Sequence, residues 1–233
     1  MMQTNTIAQP INLEVAQQRF VTKVFWWMFI ALLTTAGISY YVASNQQLLA
    51  TIITNQMLFF GLIIAELGLV LVLSAAINRL SAMAATGLFF LYSALTGLTL
   101  SVVFIAYTAE SLVTTFLITS GTFGAMAIYG YTTRKDLTSI GNICFMGLIG
   151  IIIASVVNFF FRSTLLHTAV TYIGVLVFVG LTAYDAQKIK QMGLQFEEGS
   201  EAEHKGAILG ALRLYLDFIN LFLLLLRIFG RRR

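Results

Sequence analysis

Two aspartates, Asp185 and Asp217, lie within long apolar segments of the chain. An ionised carboxylate in hydrocarbon is costly, so an acid in this setting usually faces a cavity, a partner or an ion path. If the two carboxyl groups meet, they cannot both ionise cheaply, and the pair shares a proton. Protonated, such a pair would latch two helices together. Deprotonated, it would repel itself and attract a cation, for which calcium is suited because it prefers oxygen ligands and tolerates irregular geometry.

A few other polar residues interrupt the apolar segments. Glu66 lies in the middle of FFGLIIAELGLVLVL. Arg213 precedes Asp217 by four positions and Asn220 follows it by three, so all three share one helix face and an ion pair within the helix is available. Asn158 lies near the end of another apolar run. For Asn158 and Asn220, hydrogen bonding between helices is favoured over direct participation in ion transport.

The residues that commonly bind metals or form disulfides are sparse. Cys144 is the one cysteine, which excludes a disulfide within the chain, and its apolar surroundings favour a packing role over a reactive thiol. His167 and His204 lie in separate polar breaks without a Cys or His partner at metal-ligand spacing. This pattern argues against a zinc site.

The composition indicates which elements must position these residues. The chain is 58% hydrophobic and 10% charged, with a mean hydropathy of +0.87. Soluble domains carry roughly 25% charged residues, so most of this surface must face lipid. A membrane helix needs about 20 apolar residues. The chain contains seven such runs, at 22–43, 57–76, 83–107, 112–132, 140–161, 166–187 and 207–229.

These runs predict an all-α integral membrane protein, a bundle of seven transmembrane helices. Residues 1–21 form a polar N-terminal segment without a cleaved signal peptide, 22–230 form a single membrane domain, and 231–233 are a basic tail. The last two runs are consecutive antiparallel helices. If the membrane section of the last helix begins near Arg213, Asp217 lies about one turn, roughly 6 Å, deep, and Asp185 lies at a similar depth.

The distribution of Lys and Arg predicts the orientation of the bundle, because cytoplasmic loops carry an excess of these residues. Eight bases fall on the side of the N-terminus, which favours a cytoplasmic N-terminus: Arg19, Lys23, Arg79, Arg134, Lys135, Lys188, Lys190 and Lys205. Four fall on the other side, Arg162 and the terminal triplet 231–233. The triplet conflicts with this assignment, so either the tail is translocated despite its charge or one run does not cross. We favour seven crossings.

Four stretches of the chain resemble the Bax inhibitor-1 family of transmembrane proteins, in particular its bacterial inner-membrane members. The most specific stretch is LYLDFINLFLLLLRIFG at 214–230, with AYDAQKIK at 183–190 before it. The resemblance extends through LFFLYSALTGLTLSVVFIAYT at 88–108 and YGYTTRKDLTSIGN at 129–142, and covers essentially the whole chain. It implies seven helices with the last one central, a multi-pass protein of the bacterial inner membrane, and a pH-sensitive calcium leak.

The resemblance also implies roles for individual residues. The family's paired aspartates match Asp185 and Asp217, which could also hold calcium, and a pore-lining glutamate of its second helix matches Glu66. A family arginine that interacts with the closed pair matches Arg79, although relatives carry a cluster of bases there. Arg213 departs from the usual small residue, and a nearby cation should lower the pH range of the response. Arg79 and Arg213 are therefore the candidates for gating or tuning.

The same resemblance indicates which partners and cofactors to expect. We expect contact with the lipid bilayer, calcium and protons, no nucleic acid, and no cofactor, since calcium is the transported ion. We expect no enzymatic activity. Intramembrane aspartyl proteases carry Gly-x-Gly-Asp and Pro-Ala-Leu, whereas this chain has Tyr215–Leu216–Asp217 and no proline beyond Pro10.

Two further classes of membrane protein are alternatives to a calcium channel. A retinal protein needs a lysine in the last helix for its Schiff base, and none follows Lys205. The remaining alternative is a non-transporting protein that modulates a membrane protease or another quality-control partner.

Overall fold

The computed structural model of the chain describes residues 13–233, which form helices joined by short turns. In chain order the helices are α1 (Leu13–Ser44), α2 (Gln46–Thr54), α3 (Gln56–Ala76, extended by a 3₁₀ turn at Ile77–Arg79), α4 (Ala82–Leu100), α5 (Val103–Ala106), α6 (Ala109–Thr132), α7 (Thr138–Phe161), α8 (Thr164–Met192) and α9 (Glu201–Phe229). Seven of the segments are long and apolar enough to cross a membrane. The predicted all-α membrane bundle is confirmed.

Side-chain caps fix where several of the long helices begin. Ser81, Thr108, Ser163 and Ser200 each accept a hydrogen bond from a backbone N–H in the first turn of the helix that follows. These hydroxyls satisfy backbone donors that have no partner within the helix. The polar residues between the apolar runs therefore start the next helix as well as separating the runs.

Several helix bounds differ from the predicted runs; α8, for example, continues to Met192 and α9 begins at Glu201. α1 begins at Leu13, so residues 13–21 of the predicted polar segment are helical, and residues 1–12 of that segment lie outside the described part of the chain. A short helix, α2, fills the connection after the first span, and Asn45 and Asn55 cap the starts of α2 and α3. The third run is interrupted after Leu100, where Ser101 Oγ donates to the carbonyl of Leu98. Such a local bond competes with helix continuation.

The last helix, α9, occupies the centre of the bundle. In its membrane window 67% of residues are buried, against 6% in those of α3 and α7. α9 packs against α1, α4, α6 and α8. The predicted central position of the C-terminal helix is confirmed, and it gives α9 two opposite faces that both contact protein.

The two ends of the bundle carry different contacts. At the near end, where α1 and α9 begin, Lys23 pairs with Glu203 at 3.2 Å and Lys205 donates to the Leu80 carbonyl at 3.1 Å. Also at this end, Lys190 donates to the Tyr131 carbonyl at 2.9 Å. The far end is the one where α1 and α9 finish. The eight bases of the orientation prediction all lie near the first end. That this end is cytoplasmic stays a prediction.

Candidate functional site

The two aspartates meet between α8 and α9. Asp185 and Asp217 are each 5% exposed, and their carboxyl groups lie against each other, close enough to share a hydrogen when one is protonated. Asp185 Oδ1 and Asp217 Oδ2 are buried without a hydrogen-bond partner among the described residues. Buried polar atoms are normally paired, so two such oxygens at one place mark a site rather than ordinary packing.

A single guanidinium neighbours this carboxyl pair. Arg213 Nη1 lies 3.6 Å from Asp185 Oδ1, and the Arg213 side chain is about half exposed. The ion pair therefore joins α9 to α8, whereas the sequence suggested a pair with Asp217 within α9. The Cys144 thiol of α7 is also an electrostatic neighbour of Asp217. Cys144 is buried, as predicted.

The structure does not bring Arg79 to the carboxyl pair. Arg79 ends the 3₁₀ turn after α3, and the next residue, Leu80, accepts a hydrogen bond from Lys205 in the first turns of α9. Lys205 precedes Asp217 by twelve residues, which corresponds to about 18 Å along the helix. None of the four ion pairs within residues 13–233 involves Arg79. The described residues therefore show no ion pair between Arg79 and the two aspartates, and the gating or tuning role implied for Arg79 stays a prediction.

Glu66 lies on the other side of α9 from the carboxyl pair. It is half-buried on α3, and Thr99 of α4 donates a hydrogen bond to its Oε1 at 2.9 Å. It is also within electrostatic range of the phenol groups of Tyr92 and Tyr215. The mid-helix position predicted for Glu66 is confirmed, and the polar neighbours show that it faces protein groups as well as lipid.

A cluster of hydroxyl groups, which sequence reasoning missed, joins α1, α4 and α9. Thr35 donates to the Ser93 carbonyl at 2.8 Å, so its only proton is used, and Tyr215 must donate to Thr35 Oγ1 across their 2.6 Å contact. Ser39 donates to the Gly97 carbonyl at 2.7 Å. A Cβ at Gly97 would lie 2.9 Å from the Thr35 carbonyl oxygen, so glycine permits this close approach of α1 and α4.

A signal for this hydroxyl cluster exists in the sequence. Thr35 and Ser39 are four residues apart in one apolar helix, and Ser93 and Gly97 have the same spacing in another. Residues with this spacing share a helix face, so each helix presents a stripe of small residues. The stripes could have been found from the sequence, but nothing in the spacing says that they face each other.

The two asparagines of the sequence prediction act locally. Asn220 Nδ2 donates to the Leu216 carbonyl of its own helix at 2.8 Å. Asn158 Oδ1 accepts from Ser163 N at 2.8 Å, within the turn between α7 and α8. The prediction of hydrogen bonds between helices is wrong for both, because each side chain bonds to a backbone group close to it in the chain.

The polar contacts between helices fall into two sets. The first set joins α1, α3, α4 and α9 through bonds such as Lys23–Glu203, Thr86–His204 and Thr35–Tyr215. The second set joins α8 to the turn between α6 and α7, where Gln187 contacts the backbone of Lys135 and Leu137. Within residues 13–233, side-chain polar contact between the two sets is limited to the Asp185 region and the C-terminal tail. The carboxyl pair therefore lies at the boundary between the two sets of helices, which we call the seam.

The comparisons with known proteins agree with this architecture. A family model described as "Inhibitor of apoptosis-promoting Bax1" matches residues 17–233. The chain is 55% identical to the inner membrane protein YbhL of Escherichia coli strain K12 over 231 residues, which cover 99% of this chain and 97% of that protein.

Relatives in two other bacteria carry no functional name. The chain is 50% identical to a protein of Borreliella burgdorferi, with 93% of this chain and 94% of that protein covered. It is 43% identical to a protein of Rickettsia prowazekii, with 93% and 91% covered. On the match of the family model and these full-length similarities, the chain belongs to the Bax inhibitor-1 family.

Proposed function

We propose that this protein is a pH-sensitive calcium leak channel of the bacterial inner membrane, with its N-terminus in the cytoplasm. The observation that carries the proposal is the Asp185–Asp217 pair, two buried carboxyl groups from different helices that share one neighbouring guanidinium. Membership of the Bax inhibitor-1 family and the inner-membrane location of the YbhL relative support it.

Charge balance explains how the pair responds to pH. With one proton on the pair, its single negative charge is balanced by Arg213, and the buried site is neutral. Loss of that proton leaves two carboxylates against one guanidinium at a buried position, which is costly unless the site opens to water or admits a cation. The protonated pair therefore holds α8 against α9, and the deprotonated pair favours separation of the two helices.

The grouping of polar contacts gives this separation a direction. Tyr215 and the near-end bonds hold α9 to α1 and α4, whereas Gln187 holds α8 to the α6–α7 turn and Lys190 holds it to the last turn of α6. Repulsion at the seam can thus move α8 and its neighbours away from α9 without breaking the hydrogen bonds inside either set. In this proposal the closed state is the one in which Asp185 and Asp217 touch.

The acids are suited to a passing ion rather than a tightly held one. Calcium takes six to eight oxygen ligands in its protein sites. The described residues contain no group of three or more His, Cys, Asp or Glu side chains that could hold a metal ion. Two carboxylates at the seam, with Glu66 as a separate acid along the path, would attract calcium and release it again.

A flux measurement tests the proposal. Purified protein would be reconstituted in calcium-loaded liposomes, and calcium release followed with an external indicator at several pH values between about 6 and 8. The proposal expects release above that of protein-free liposomes, with a rate that changes with pH. Release equal to that of empty liposomes, from protein shown to be folded and inserted, would overturn it and favour the non-transporting modulator.

A further inference from the structure

The C-terminal tail, Gly230–Arg233, is fixed to the far end of the bundle. Arg231 N donates to Ser111 Oγ at 2.9 Å, Thr108 N donates to the Arg231 carbonyl at 3.2 Å, and Arg233 N donates to the Ala106 carbonyl at 3.1 Å. Arg232 forms an antiparallel bridge with Tyr107. The backbone of the tail thus has partners along its length.

Packing beneath the tail supports this fixed position. Tyr107 and Leu112 are buried with Leu226 of α9 in a small apolar cluster of their own. A Cβ at Gly230 would collide with the ring of Tyr107, so the absence of a side chain lets the tail lie on that ring. The position of the tail is therefore part of the fold at this end.

The backbone of the tail is occupied by these hydrogen bonds, whereas the side chains of its three arginines are exposed. None of the four ion pairs within residues 13–233 includes them. Phe229, just before the tail, is 53% exposed, which places the tail beside a lipid-facing surface.

The two ends of the bundle differ in how their bases are compensated. The near end has eight bases and six acids, and three of the ion pairs lie there. The far end has five arginines and one acid, Glu110. The arginines are Arg162, Arg227, Arg231, Arg232 and Arg233. The end opposite the N-terminus therefore carries the larger uncompensated positive charge.

We propose that the fixed tail, Arg231–Arg233, is a binding surface for the phosphate groups of anionic phospholipids in the leaflet at the far end. The planar guanidinium presents paired donors that match phosphate oxygens. A basic segment held beside an anionic membrane gains affinity from each Lys or Arg. This partner also accounts for three arginines on the side where the charge rule predicts few, because the lipid supplies the missing negative charge.

Native mass spectrometry of the full-length protein in detergent tests this inference, with phosphatidylglycerol, phosphatidylcholine or inorganic phosphate added. One variant combines Arg231→Gln, Arg232→Gln and Arg233→Gln. The matched control removes three exposed near-end bases through Arg134→Gln, Lys135→Gln and Lys188→Gln. Equal thermal unfolding midpoints without lipid would show that both variants fold.

The inference expects the parent protein to bind phosphatidylglycerol more tightly than phosphatidylcholine. The tail variant should lose at least tenfold in affinity for phosphatidylglycerol, since each base near an anionic membrane contributes about fivefold. The control variant should lose much less, because six acids compensate the bases of the near end. Equal losses in both variants would overturn the inference, because they would indicate a general effect of net charge. Binding of inorganic phosphate as tight as that of the lipid would also overturn it, since the tail would then recognise free phosphate.

Discussion

The two faces of α9 carry polar groups of opposite character. On one face, Tyr215 joins the hydroxyl cluster, in which the donor of each hydrogen bond can be assigned. On the other, Asp217 meets Asp185, and each carboxylate has a buried oxygen without a hydrogen-bond partner among the described residues. Tyr215 and Asp217 are two positions apart, so one helix presents a satisfied polar region and an unsatisfied one on nearly opposite sides.

This difference indicates which contacts of α9 are independent of pH and which change with pH. A hydroxyl does not ionise at physiological pH, and its hydrogen bonds are the same at pH 6 and pH 8. A carboxyl pair changes its net charge when it loses a proton, so its contact switches from attractive to repulsive. In the proposed function, the hydroxyl face is therefore structural and the carboxyl face senses protons, with Glu66 beyond the hydroxyl face as a permeation residue.

Glu66→Gln should have the largest effect on calcium passage. The substitution keeps an acceptor for Thr99 but removes the negative charge from the ion path, so calcium release from liposomes should fall severalfold. The pH midpoint should stay nearly unchanged, because Glu66 lies across α9 from the carboxyl pair. Glu14→Gln, the same change at an exposed position in the first turn of α1, is the control. Undiminished release from well-inserted protein would make Glu66 a packing residue.

Arg213→Ser should shift the pH response. Without the guanidinium, the ionised pair loses its balancing charge, so a more alkaline solution is needed to remove the proton. An opposite charge at short range displaces a carboxyl titration by one to three units, and since Arg213 is half exposed we expect about one unit upward.

Arg79→Ser is the matched control for Arg213→Ser, and both are measured as calcium release against pH. Among the described residues Arg79 forms no ion pair with either aspartate, so its removal should leave the midpoint and the resting leak unaltered. If Arg79→Ser raises the resting leak while Arg213→Ser has no effect, the residue roles implied by the family resemblance hold and the assignment of Arg213 is wrong.

Tyr215→Phe should have the smallest effect, on stability alone. It removes one buried hydrogen bond, while Thr35 keeps its bond to the Ser93 carbonyl, so the loss should be about 1 kcal/mol. Thermal unfolding in detergent measures this, with Tyr172→Phe, which is exposed, as the control. A shifted pH midpoint in Tyr215→Phe would show that the hydroxyl face also takes part in sensing.

Helix number and the meeting of the two aspartates could be predicted from the sequence. Membrane helices are set by the length and apolarity of each run, and both are local properties. The approach of Asp185 and Asp217 follows from two consecutive antiparallel helices and the cost of isolated acids in hydrocarbon. Local properties were sufficient here because the bilayer imposes the direction of every long helix.

Contacts that depend on how helices rotate and shift against one another could not be predicted. The sequence suggested an ion pair of Arg213 with Asp217 on its own helix, and packing placed Arg213 beside Asp185 of α8 instead. The pairing of Thr35 with Ser93 depends on Gly97, whose role is visible only when α1 and α4 are side by side.

The pH dependence of calcium release by Asp217→Asn is the most direct test of whether the Asp185–Asp217 pair senses protons. Asparagine can still hydrogen-bond to Asp185 but removes the shared ionisation, so release should lose its response between about pH 6 and 8. Asp136→Asn is the matched control, since side-chain and backbone hydrogen bonds from Thr138 lower the pKa of this exposed carboxyl and keep it ionised throughout that range. We expect a flat profile for Asp217→Asn and the parental profile for Asp136→Asn. A parental profile in Asp217→Asn would show that the carboxyl pair is not the proton sensor.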